Sequence, residues 1–229
     1  MSTSDPLPLL PADDDLVYVG MFGPYKITAA DRREVLGYRL SLTGVALGLL
    51  GLLLQWQLNG SERLWPWLLV LAAGLGLALR WIHIYLRPLH RALQLFWLLG
   101  CLAMLALIGR VGATAALPTL AAQPLWILAV GPYFAALTGV GFKEFFCFRR
   151  PEAIGVTLLL PVALLGRLLA LLDADLCGRL LTLAAILLLV LCLRKFPLEA
   201  AADVGDKSVF EHLARQRSGQ PGAGVGAGT

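Results

Sequence analysis

CGRLLTLAAILLLVLCL, residues 177–193, decides the fold. This run carries a single charge, Arg179, and no polar face. A membrane helix needs about 20 mostly apolar residues, and this run is of that kind. Working outward, five more segments read the same way: 40–57, 66–86, 89–108, 124–142 and 154–172. Connections between them are mostly short, which predicts antiparallel neighbours in an all-α bundle of six transmembrane helices.

Composition agrees. Of 229 residues, 58% are hydrophobic and 15% are charged, and the mean hydropathy is +0.75. A soluble domain has about 45–50% apolar and about 25% charged residues. These values exclude a soluble globular enzyme, a nucleic-acid-binding domain and a disordered chain. The expected organisation is an N-terminal arm over 1–39, the six-helix domain over 40–193, a surface helix within 194–217 and a Gly-rich disordered tail over 218–229. Asp13, Asp14, Asp15, Asp31 and Glu34 precede the first span, so that span does not read as a signal peptide, whose leading region is short and basic.

Charge placement gives orientation. Fifteen of the 19 Lys and Arg fall in the arm, the 2–3 and 4–5 connections and the tail. Only Arg63, Arg110, Arg167 and Arg179 fall on the other side. Basic loops stay in the cytoplasm or its equivalent, so both termini are expected there. Trp56, Trp65, Trp67 and Trp126 sit at the outer ends of their spans, where indole favours the interface.

Small residues mark close-contact faces. Gly44, Gly48 and Gly51 share one side of the first span, and Gly131, Ala135 and Gly139 repeat every four residues in the fourth. These faces serve internal packing or self-association. Pro132 and Pro161 lie within spans and are expected to kink them, either to fit neighbours or to line a cavity. Cys101, Cys147, Cys177 and Cys192 lack paired spacing and read as small buried apolar residues.

Two clusters carry enough polarity for chemistry. In the first, Arg80, His83 and Arg87 share a helical face, and Pro88 breaks the chain before His90. Three interpretations stand: an orienting collar at the inner leaflet, a polar anion or proton site, or metal or haem ligation by His83 or His90. Haem calls for paired His on facing helices. The third His, His212, lies outside the spans, and no carboxylates adjoin this cluster in sequence, so neither cofactor nor metal is expected. The second cluster is Lys143-Glu144 at the inner end of the fourth span. A buried Glu144 needs a cation, and Arg80 or Arg87 is within expected reach. Lone Arg167 is expected to snorkel outward or to pair with Asp173 or Asp175. The sequence contains no metalloprotease, hydrolase-elbow or phosphate-loop signature.

Outside the spans, residues 16–28 are strand-like on both sides of Gly23-Pro24 and predict a hairpin. Thr28-x-x-Asp31 resembles a capping box and predicts a helix start. Residues 206–217 predict a short helix with Val209, Phe210 and Leu213 on its apolar face. It is expected to lie on the membrane surface or to dock on the hairpin.

The run VYVGMFGPYKITAADRREV at 17–35, with IHIY at 82–85, LHR at 89–91, AALTG at 135–139, FKE at 142–144, FCF at 146–148 and GDKSVF at 205–210, resembles an uncharacterised family of cyanobacterial and plastid-lineage integral membrane proteins. The resemblance spans about 17–217 and implies a plasma or thylakoid membrane location. It supplies no catalytic residues. The expected function is a non-catalytic scaffold or assembly partner in a membrane complex, contacting lipid, other membrane proteins or its own copies, and not nucleic acid. The alternative is a small carrier or channel with Arg80, His83 and Glu144 around a polar site.

Overall fold

The computed structural model describes residues 16–217; the start of the arm and the Gly-rich tail lie outside the described residues. The chain opens with a two-stranded antiparallel hairpin, β1 (Val17–Gly20) and β2 (Gly23–Lys26). Then come α1 (Ala29–Asn59), α2 (Trp65–Trp81), α3 (Arg87–Val111), α4 (Ala116–Ala122), α5 (Trp126–Phe148), α6 (Pro151–Leu168), α7 (Ala174–Leu193), α8 (Ala201–Val204) and α9 (Lys207–Arg217).

The helix boundaries follow from local chemistry. Thr28 caps α1 in a full capping box: its hydroxyl accepts from the Asp31 amide, while the Asp31 carboxylate accepts from the Thr28 amide. Asp173 caps α7 in the same sense. Second, the α2 helix stops at Trp81, short of the expected 86, because Ile82 turns extended and Pro88 suits only the first turn of the next helix. By contrast, α5 runs to Phe148, beyond the expected 142, because the charges that marked its end are paired inside the bundle. Helix α6 ends at Leu168, before the expected 172, where Leu171 and Leu172 fold back to donate to the Gly166 carbonyl.

Five helices are long and apolar enough to cross a membrane; α2, with 17 residues, is slightly shorter. Helix α2 nevertheless runs antiparallel along α1. Close approaches join Gly37 to Trp81, Gly74 to Val45, Gly48 to Val70 and Gly51 to Trp67. The six long helices form a closed ring in the order α2, α1, α7, α6, α5, α3. Leu75, Leu79, Leu137, Leu160 and Leu188 are among the side chains filling its core. The outer flanks expose residues such as Leu69, Leu102, Leu105, Leu128 and Leu158. An apolar exterior of that extent requires lipid as its solvent.

Both ends of the described chain meet at one end of the ring, because α9 packs on β1 and β2. An even number of passes is therefore required, and α2 supplies the sixth. The hairpin turn is Met21-Phe22, two residues before the expected Gly23-Pro24. The entry to α9 sets it: the Met21 amide donates to Oδ2 of Asp206, just before α9, at 2.7 Å and the Phe22 amide to Ser208 Oγ at 3.0 Å. A small second core of Ile27, Val35 and Val204 joins the hairpin, α1 and α8.

The small residues divide by role. Gly48 and Gly51 admit α2 side chains, and Gly139 admits Leu93 of α3. Gly44 meets nothing within 4 Å, Gly131 meets only its own helix's Ile127, and Ala135 is exposed. Pro132 and Pro161 both lie inside helices. The four cysteines are unpaired, and Cys147 is exposed, contrary to the expectation of burial for all four. Arg167 turns to α4 and donates to the Ala121 carbonyl at 2.8 Å, in place of the expected aspartate pairing.

Candidate functional site

Where the hairpin end of the ring begins, three cations and two carboxylates are buried together. Tyr38 and Arg39 come from α1, Lys143 and Glu144 from α5, Lys195 from the turn after α7, and Asp203 from α8. Glu144 has no exposed surface and Lys195 is 1% exposed. Helix α7 ends at Leu193, and the Lys195 amide closes a tight turn on the Cys192 carbonyl. That turn carries the lysine back into the bundle.

Glu144 accepts from Lys195 Nζ at 2.6 Å, from Tyr38 Oη at 2.6 Å and from Lys143 Nζ at 3.2 Å. Lys195 also pairs with Asp203 Oδ1, which has no hydrogen-bond partner of its own among the described residues. Arg39 binds Asp203 Oδ2 through Nε at 2.8 Å and through Nη2 at 2.5 Å, and donates to the Leu198 and Glu199 carbonyls. Cations outnumber carboxylates by one, and aromatic faces take part of the excess. The Lys195 ammonium lies 4.6 Å from the ring centres of both Tyr38 and Phe148. Isolated buried charges cost several kcal/mol each, so this cluster persists because every member is compensated.

The sequence-predicted residues do not share one site. Glu144 meets Lys195, Lys143 and Tyr38, not Arg80 or Arg87 as expected. Arg80 and Arg87 are exposed at the same end of the ring. His90 Nε2 lies 2.6 Å from the Leu79 carbonyl, which the early end of α2 leaves without a helical donor. That short contact assigns the proton to Nε2, so Gln94, 3.3 Å from the same atom, is a neighbour and not a donor to it.

His83 finds carboxylates after all, from a distant part of the chain. Its Nε2 is 3.4 Å from Glu34 Oε2 of α1. Asp31, one turn earlier on α1, completes a group whose ligand atoms all lie within 4.8 Å of one another. Asp31 Oδ2 accepts from the Thr28 amide, the Thr28 hydroxyl and Lys207 Nζ. Burial lowers the pKa of His83; the Glu34 carboxylate opposes this and the Lys143 charge adds to it.

Tyr38, Arg39, Lys195 and Asp203 were not singled out from the sequence. The available signal was weak: Lys195 follows directly on a span, and Tyr38-Arg39 precedes one.

The ring of apolar-flanked helices with an ionic cluster at one end defines a polytopic α-helical integral membrane protein. The chain belongs to a family described as uncharacterised integral membrane proteins, DUF2301, whose model matches residues 77–212. No curated protein and no solved structure matches it. The matched region includes His83, Lys143, Glu144, Lys195 and Asp203 and stops short of α1.

Proposed function

We propose that this protein is a non-catalytic scaffold or assembly partner in a membrane complex. The observation that carries this is the ionic cluster itself. It ties α1, α5, the α7 exit and α8 into one fixed unit, and its carboxylates are all engaged. Such a cluster suits a rigid mount better than a proton- or substrate-handling site. The mounted elements are the hairpin, α8, α9 and the α2–α3 connection. Tyr85 and Phe210, with ring centres 4.5 Å apart, join the last two of these. A face that draws on both chain ends is a natural contact surface for a partner. The basic bias of this end supports a cytoplasmic orientation, and the resemblance points to a plasma or thylakoid membrane of cyanobacterial or plastid lineage.

The test is purification from native membrane in mild detergent. Another membrane protein should co-purify in a fixed ratio, and Asp206→Ala with Lys207→Ala should release it while the bundle remains folded. Recovery of the protein alone would overturn the proposal.

A further inference from the structure

We propose that Asp31, Glu34 and His83 form a binding site for a divalent transition metal of the zinc class. The donor set is two carboxylates and one imidazole, which suits zinc, manganese, iron or cobalt. All-oxygen coordination, as calcium and magnesium prefer, does not use an imidazole. A tetrahedral zinc with bonds of about 2.0–2.2 Å places its ligand atoms roughly 3.3–3.5 Å apart. The His83–Glu34 separation of 3.4 Å already matches. The whole set lies within 4.8 Å, so the remaining closure is a side-chain movement of about an ångström.

Rigid elements present the three groups. Asp31 and Glu34 lie three residues apart on α1, hence on one helix face. Asp31 is held by its capping box and by Lys207, and all three of these bonds fall on Oδ2. His83 sits between α2 and α3 with its ring edge-on to Phe210 at 6.4 Å. Glu34 has a half-exposed side chain and provides the entry route. Lys207 contacts Asp31 directly and neutralises part of its charge, while the Glu34 charge attracts the ion. Three protein ligands leave a fourth position for water, the pattern of an open site.

This inference does not rest on the scaffold proposal. The test uses the full chain in detergent, purified without a histidine tag and stripped with chelator. Titration with Zn²⁺ by calorimetry should give one site per chain, and Co²⁺ should give visible absorption of a nitrogen–oxygen site. His83→Ala and Glu34→Gln should each weaken binding by about tenfold or more. Neither residue caps a helix, and gel filtration of both variants checks that they fold. Absence of binding to the wild type, or binding unchanged in both folded variants, overturns the site.

Discussion

Lys195 Nζ stands 2.6 Å from Glu144 Oε2, joining the exit of the last span to the C-terminal end of the α5 helix across 51 residues of chain. Both groups are nearly inaccessible. The bond links elements that hydropathy alone would have left independent, and its removal has a defined consequence.

Lys195→Met is expected to destabilise the folded protein by about 3–5 kcal/mol, because the two buried carboxylates lose the cation they share, leaving Glu144 with Lys143 at 3.2 Å and Asp203 Oδ1 without a partner. Denaturant titration in mixed micelles, followed by circular dichroism, measures this. Combining it with Glu144→Gln should recover part of the loss, since the second change removes a buried carboxylate that has lost its closest cation. A double variant less stable than the sum of the single ones would refute the pairing argument.

Tyr38→Phe keeps the ring under the Lys195 ammonium and deletes only the hydroxyl that donates to Glu144. A bond to a charged group is worth about 1.5–3 kcal/mol. The same titration should therefore show a smaller loss than Lys195→Met gives. An equal or larger loss would assign the main role to packing.

Asp206 reports on the junction of hairpin and α9. The Met21 amide, then the Ser208 hydroxyl, hold its carboxyl below the usual aspartate range. A depressed folded value contributes stability that is present above the unfolded value, about 3.9, and is lost as pH falls through the folded one. Hydrogen exchange should show the Met21 and Phe22 amides protected at neutral pH, with protection falling below about pH 4. Protection that persists unchanged at pH 2 would show that the carboxylate does not hold the turn.

Gly51 and Gly44 separate internal packing from an outward face. A Cβ on Gly51 would stand 2.7 Å from the Trp67 ring, whereas one on Gly44 meets nothing within 4 Å. Gly51→Val is expected to cost about 1–3 kcal/mol through overpacking, and Gly44→Val to leave monomer stability unchanged. Analytical ultracentrifugation in detergent adds a second readout. A change of mass with Gly44→Val would assign that open face to self-association.

Topology can be read with reporter fusions. Alkaline phosphatase placed after Val111, between α3 and α4, should be active, and a fluorescent protein at the C-terminus should fluoresce. The reverse pattern would invert the orientation expected from the basic residues.

The membrane class, the all-α bundle, the Thr28–Asp31 cap and the short helix read over 206–217 were all legible in the chain. Each is a local property: hydropathy over a window, or a spacing of three residues that one helical turn brings together. Tertiary structure alone decided the partners of the charges. Glu144 was legible as a carboxylate needing a cation, but Lys195 read as a tail residue, and His83 had no neighbouring acid in sequence until α1 delivered Glu34. Leucine-rich helix surfaces are nearly interchangeable in lipid, so hydropathy does not encode which helices adjoin. Contacts such as Gly48 on Val70 and Gly139 on Leu93 fix the ring order. That order places Lys195 beside Glu144 and His83 beside Glu34, because a buried or half-buried charge pairs with whatever the neighbouring helix presents at its depth.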